Sequence, residues 1–101
     1  MVETTSHAVT SALDWLLDHP EALAGAQAAA RAGDDDGVAG HVFEALRFQP
    51  QTPLLARKCP AGAVLARGTS RETVVPAGGT VIVATLSAMH DPAAVEAPEE
   101  F

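Results

Sequence analysis

The stretch "FEALRF", residues 43–48, sets a carboxylate and a guanidinium among apolar side chains. Glu44 and Arg47 are three residues apart, so on a helix they lie on neighbouring turns and can form an ion pair. An ion pair on a water-facing helix surface contributes little to stability. Phe43, Leu46 and Phe48 favour burial, however. The surrounding sequence therefore has to decide whether this pair is exposed or belongs to a core.

The sequence before Pro50 predicts helices. In residues 4–19, "TTSHAVTSALDWLLDH", apolar residues recur at spacings of three and four, which is typical of an amphipathic helix. His19-Pro20 ends this helix, because the residue before proline disfavours the helical region. Pro20 then suits the first position of a second helix over residues 20–32. Gly33 is a plausible C-cap for it, and one of the aspartates 34–36 can cap a third helix through "VAGHVFEALRF".

The sequence after Pro50 predicts strands and turns. Residues 63–67 and 72–75 read as two strands joined by a turn around Gly68, and residues 80–86, "TVIVATL", form the strongest strand candidate. "PAGG", residues 76–79, is a tight turn. We therefore predict an α+β fold: three helices in residues 1–49, followed by a small β-sheet or hairpin region in residues 50–101, which are β-rich and turn-rich.

Composition excludes several classes of protein. The 101 residues suit one small domain, and a net charge of −7 argues against nucleic acid as a partner. Low aromatic content and many alanines predict a core of small side chains and modest stability. Charges or prolines interrupt every apolar run well short of about 18 residues, so no membrane span is expected. With one cysteine and no signal peptide, we expect a cytoplasmic protein.

The order of the motifs resembles the C-terminal half of the cytochrome P450 superfamily. The Glu-x-x-Arg helix, "EALR" at 44–47, is followed by an arginine at 57 and a short hairpin. Then come "VPAGGTVIV" at 75–83 and "SAMHDPAAVEAPEEF" at 87–101, with His90 where the family usually has arginine. The N-terminal helix and "HPE" at 19–21 resemble the end of the family's long central helix and the helix after it. The resemblance covers essentially all 101 residues and ends just before the haem-cysteine loop.

This resemblance implies haem as the cofactor and assigns roles to five residues. Glu44 and Arg47 would form the structural ion pair that locks the core behind the haem. Glu3 and Thr4 would occupy the acid and alcohol positions that deliver protons, and Arg57 would contact a haem propionate. The complete domain would be a haem-thiolate monooxygenase, or a peroxide isomerase, acting on a small apolar substrate. A ferredoxin or reductase would supply its electrons.

The axial cysteine that the resemblance requires lies downstream of "PEEF", beyond Phe101. Cys59, in "RKCPAG", precedes the hairpin and lacks the glycines of the ligand loop, so we do not assign it to iron. The four histidines show no ligand spacing, and no metal ligand is predicted. We therefore expect this chain alone to be inactive. Two readings remain open: a fragment of a haem oxidoreductase, or a non-catalytic remnant or small interaction module with exposed apolar faces such as Leu13-Leu16-Leu17.

Overall fold

The computed structural model describes residues 2–101, which form four helices and four strands. These elements fall into two compact units: the described residues up to Pro53 together with Thr85–Phe101, and Leu54–Ala84. In chain order they are α1 (Val2–Asp18), α2 (Pro20–Ala32), α3 (Asp35–Phe48), β1 (Leu55–Cys59), β2 (Ala63–Leu65), β3 (Thr73–Val75), β4 (Gly79–Val83) and α4 (Thr85–Met89). The predicted α+β order of three helices followed by a small β region is confirmed.

The helix boundaries follow the local signals of the sequence. His19, with φ −125° and ψ 83°, separates α1 from α2, and Pro20 occupies the start of α2. Gly33 caps the end of α2 at φ 69°, a left-handed conformation that glycine adopts without strain. Asp34 caps α3, because its Oδ1 accepts a hydrogen bond from the backbone N–H of Gly37 at 2.9 Å. All three predicted boundaries are confirmed.

The helical unit has a small core where α1, α2 and α3 meet. Its buried side chains are Ala12, Leu16 and Ala45. Partly buried apolar residues surround them: Trp15, Ala22, Leu23, Val42 and Leu46. Two of the three buried members are alanines, which agrees with the small-residue core expected from composition. Little apolar area is buried per residue, so we expect modest stability.

The expected apolar face of α1 is divided between core and surface. Leu16 is 3% exposed and belongs to the core, which corrects its inclusion in an exposed face. Leu13 and Leu17 are exposed, as expected. The reason is geometric: successive residues on a helix are about 100° apart, so the apolar positions of α1 cover more of its circumference than one core contact can bury.

The second unit consists of two antiparallel strand pairs. The predicted hairpin is present as β2 and β3, with Ala63 opposite Val75 and Leu65 opposite Thr73. Its strands are shorter than predicted, because Ala66 takes a positive φ of 51° and ends β2. The other pair joins β4 to β1, a strand that the sequence did not predict, with Cys59 opposite Gly79.

The strand predicted over residues 80–86 is too long. β4 ends at Val83 and the chain enters α4 at Thr85. The Thr85 hydroxyl donates to the carbonyl of Thr52, and the N–H of Leu86 donates to the carbonyl of Pro53 at 3.3 Å. These bonds hold Thr85 and Leu86 against the loop after α3, and they replace the strand ladder that a β-branched run would otherwise join.

The "VPAGG" bend leads directly into β4. The N–H of Gly79 donates to the carbonyl of Pro76 at 2.9 Å, which closes a four-residue turn. Gly78, the third residue of that turn, has φ 80° and so requires glycine. The N–H of Gly78 also donates to the carbonyl of Cys59 at 2.7 Å, so the turn is tied to the end of β1.

Candidate functional site around Arg47

Arg47 lies in the last turn of α3 and is only 9% exposed. Its Nε and Nη2 donate to Glu44 Oε1 at 2.8 and 2.5 Å. Its Nη1 donates to the carbonyls of Met89 at 3.1 Å and Pro98 at 2.6 Å, and Nη2 also donates to the carbonyl of Glu100 at 2.6 Å. A guanidinium has five N–H groups, and these five bonds occupy all of them.

This arrangement explains how a charge can be buried in so small a core. A buried cation is costly unless it is paired and its hydrogen-bond donors are satisfied. The hydrogen bonds that Arg47 donates to the Glu44 carboxylate raise the pKa of Arg47 above its usual value. Burial opposes this effect, and the negative charges of Glu44 and Glu99 add to it. Arg47 is therefore a fixed cation, paired with a carboxylate that is 35% exposed.

Arg47 also organises the irregular C-terminal segment. The carbonyls of Met89, Pro98 and Glu100 come from 42 to 53 residues later in the chain. Most of the segment after α4 consists of turns and bends rather than helix or strand. One side chain of α3 therefore supplies the long-range hydrogen bonds that fix this segment, a role for which a planar five-donor group is well suited and a lysine is not.

An aromatic cluster continues the site. Trp15 stacks on Phe48 with ring centroids 5.1 Å apart and on Phe101 with centroids 4.8 Å apart. The guanidinium carbon of Arg47 lies 4.3 Å from the centre of the Phe48 ring, within range of a cation–π contact. His41 lies against Phe101 at 5.7 Å. The cluster joins α1, α3 and the C-terminal segment around the same ion pair.

Two further histidines belong to this cluster. His19 stacks on Trp15 with centroids 3.7 Å apart, and His90 meets Phe48 edge-on at 5.3 Å. In each, Nδ1 bonds a carbonyl four residues earlier: that of Trp15 at 2.7 Å and that of Leu86 at 3.0 Å. His90, which stands where the resembled family has arginine, therefore packs as a structural residue.

Arg57 lies in the other unit and forms a separate candidate site. It is on β1 opposite Val81, and its guanidinium is exposed. Nη1 donates to the carbonyl of Ala56 at 3.0 Å. The other guanidinium donors have no partner among residues 2–101, so the side chain can bind a carboxylate in the two-pronged manner typical of arginine.

Glu3 and Thr4 lie in the first turn of α1, exposed to solvent. Neither side chain has a hydrogen-bond partner within the described part of the chain. A carboxylate at this end of a helix is favoured by the helix dipole. Among residues 2–101, no hydrogen bond joins Glu3 or Thr4 to Glu44 or Arg47.

Cys59 is half-buried at the end of β1, as a free thiol. Between residues 2 and 101, no three His, Cys, Asp or Glu side chains converge as a metal-binding group. Nor is any helix in this range long and apolar enough to cross a membrane.

Sequence reasoning missed the partners that complete the Arg47 site. The carbonyls of Met89, Pro98 and Glu100 carry no side-chain signal, because every residue has a carbonyl. In the sequence Phe101 stands out only as the end of the "PEEF" motif, and that motif does not predict its stacking on Trp15. The one signal that could have found it is the scarcity of aromatic residues, since a chain with one tryptophan and three phenylalanines has few rings to form a cluster.

The chain is similar to part of a cytochrome P450. Two curated proteins, both described as "Putative cytochrome P450 137", come from the CDC 1551 / Oshkosh and H37Rv strains of Mycobacterium tuberculosis. Each is 34% identical to the chain over 99 residues, 98% of its length. The chain spans about a fifth of the length of these relatives. No family model and no solved structure matches it. The similarity supports a P450-type relationship for this segment.

Proposed function

We propose that this chain is the part of a P450-type haem-thiolate oxidoreductase that supports the haem from behind. The observation that carries the proposal is the saturated Arg47 guanidinium, which pairs with Glu44 and fixes the segment from Met89 to Glu100. A Glu-x-x-Arg pair in this role is what the sequence resemblance implies. The partial similarity to a cytochrome P450 along nearly the whole chain supports the same proposal.

The exposed guanidinium of Arg57 fits a haem propionate, because its free donors suit a carboxylate. Haem, when bound, supplies the redox chemistry of such an enzyme. Thr4 would hold a water by its hydroxyl, and Glu3 would transfer protons between that water and solvent. Glu44 and Arg47 would position the chain segment that leads toward the iron-binding cysteine. In the complete protein we further propose a small apolar substrate, an electron-transfer partner and a cytoplasmic location.

A second candidate is a non-catalytic remnant or small interaction module. The exposed leucines of α1, Leu13 and Leu17, favour it, since they leave apolar surface without a partner. Cys59 does not lie where the resemblance puts the iron ligand, so this chain alone is not expected to form a haem-thiolate centre. The two candidates differ in whether these 101 residues can still serve in a haem-binding domain.

Two spectroscopic experiments test the proposal. The chain alone, mixed with haem, reduced and exposed to carbon monoxide, should give no thiolate-type Soret band; its appearance would assign Cys59 to iron. In the second experiment, residues 1–101 replace the matched segment of the Mycobacterium tuberculosis relative. This chimera should show the thiolate band, and Glu44→Gln and Arg47→Lys should lower its haem-loaded fraction. Arg31→Lys, a cation outside the site, is the matched control. A folded chimera without the band would favour the remnant.

A further inference from the structure

The two units carry opposite charge. Leu54–Ala84 contains four of the six cationic residues and one of the thirteen acidic ones, so its formal charge is +3. The rest of the chain carries −10. The cationic residues of the smaller unit are Arg57, Lys58, Arg67 and Arg71. All four are exposed, and no acidic side chain within residues 2–101 pairs with them. This unit therefore presents unpaired positive charge to solvent.

Two of these cations lie on a structured loop, residues 66–72, at the tip of the β2–β3 hairpin. Glu72 accepts a hydrogen bond from the N–H of Gly68 at 2.6 Å, and the Thr69 hydroxyl donates to the carbonyl of Ala66 at 2.7 Å. These side-chain bonds hold the loop from within. Arg67 and Arg71 are thus presented from an ordered backbone, which lowers the entropy lost on binding.

The hairpin tip also carries apolar surface. Leu65 is 43% exposed at the end of β2. Val74 is also exposed, but it pairs with Val64 whereas Leu65 pairs with Thr73, so the two side chains lie on opposite faces of the hairpin. An isolated apolar side chain on a surface is normal, but Leu65 is only two residues from Arg67. The surface formed by Leu65, Arg67 and Arg71, called the hairpin tip below, therefore fits a partner that is both acidic and apolar.

The chain itself contains such a surface on α1. Val9, Leu13 and Leu17 are four residues apart and form an exposed row, which we call the α1 row. Asp14 and Asp18 form a neighbouring row, also exposed. No arginine or lysine lies on α1, so nothing on this helix neutralises those carboxylates. The α1 row with its aspartates is complementary to the hairpin tip in both charge and hydropathy.

The charges of the two surfaces favour one way in which two copies can associate over the others. Pairing α1 with α1 brings acidic rows together, and pairing hairpin with hairpin brings arginines together; both arrangements are repulsive. Pairing unlike surfaces is attractive. We propose that a second copy of this chain docks its hairpin tip on the α1 row of the first. The contact area is small, so the association belongs to the weak, transient class, and because the two surfaces differ it is heterologous.

Sedimentation velocity of the full chain tests the proposal. Over a concentration series at low salt, the average mass should rise, and the rise should be lost at about 1 M salt, where charges are screened beyond about 3 Å. Arg67→Glu with Arg71→Glu should abolish the association, as should Asp14→Lys with Asp18→Lys. Asp14 accepts a hydrogen bond from Gln49 at 2.9 Å, so Asp18→Lys alone is included as a variant that keeps this bond.

The decisive sample mixes the two charge-reversed variants. Each keeps one original surface, so the hairpin tip of one fits the α1 row of the other, and the mixture should associate while each variant alone stays monomeric. Arg31→Glu, a charge reversal on α2, should leave self-association unchanged. A monomer at every concentration would overturn the proposal. So would an oligomer that neither salt nor either reversal affects, because such an oligomer would form through apolar surface alone.

Discussion

The ring of Phe101 stacks on the indole of Trp15 at a centroid distance of 4.8 Å and an interplanar angle of 16°. The C-terminal segment therefore packs on the first helix. Phe101→Ala should lower the free energy of unfolding by about 1–2 kcal/mol, less than for a fully buried phenylalanine because the ring is half-exposed. Urea unfolding followed by Trp15 fluorescence measures this loss. Phe43→Ala, at an exposed position on α3, should cost less than about 0.5 kcal/mol.

Adjacent leucines on α1 should respond very differently to truncation. Leu16 is 3% exposed in the core, and Leu17 is 67% exposed. Leu16→Ala should lower the free energy of unfolding by about 2–4 kcal/mol, because it removes buried methyl groups and leaves a cavity. Leu17→Ala should change it by less than about 0.5 kcal/mol. Equal effects in a urea melt would contradict the assignment of the core to Leu16.

Arg47→Lys tests the guanidinium network. Lysine keeps the charge but offers three donors from one point, and it cannot reach Glu44 and three carbonyls together. We expect a loss of about 2–3 kcal/mol of stability and faster proteolysis within residues 90–100. Limited proteolysis with mass spectrometry locates the cleavage. Cleavage rates equal to those of Arg31→Lys would show that the network does not hold the segment.

The raised pKa of Arg47 determines how its contribution to the stability of the fold changes with pH. Because its pKa is higher in the folded state than in the unfolded chain, its stabilising effect is complete below the usual arginine range and is lost only as pH rises through the folded value. The stability difference between the wild type and Arg47→Met should therefore be constant between about pH 6 and about pH 9. Urea melts across this range measure it. A decline of that difference toward neutral pH would mean that Arg47 titrates there.

Replacing two of the glycines by alanine should change the stability of the protein in opposite directions. Apart from the adjoining backbone, no atom of residues 2–101 lies within 4 Å of the Cβ that an alanine would add at Gly33 or Gly40, so neither site has a steric clash. Gly33→Ala should destabilise by about 1 kcal/mol, because φ 69° is strained for alanine. Gly40→Ala, inside α3, should stabilise by about 0.5–1 kcal/mol through helix propensity. Thermal melts of both variants provide the comparison.

Local chemistry made the helical part of the fold predictable. Pro20, Gly33 and Asp34 each act on the backbone within a few residues of themselves, so their effects can be read from the sequence. The strand β1 could not be predicted in the same way. It contains Arg57 and Lys58, its three central residues are exposed, and it exists because it pairs with β4 twenty or more residues later. A contact with a distant residue also explains why β4 is shorter than its β-branched sequence predicts. The Thr85 hydroxyl donates to the carbonyl of Thr52, and the strand ends before it, at Val83.

For the candidate site, too, the local contacts could be predicted from the sequence and the long-range contacts could not. The spacing of Glu44 and Arg47 predicts that they can meet on one helix, and they do, at 2.5 Å. The carbonyls that complete the site belong to a segment without helix or strand periodicity, so no pattern pointed to them. Arg57 could be singled out as a cation, but its chemical role depends on a ligand that the sequence of this chain does not contain.

The carbonyls of Met89 and Pro98 both accept from Nη1 of Arg47. The residues between them thus form a closed loop whose two ends meet at one nitrogen. The entropy of closing such a loop grows only slowly with its length. Natural variation in this region should therefore tolerate added residues near Ala93 and Ala94, whereas removing residues there would shorten the span until one end had to leave the nitrogen.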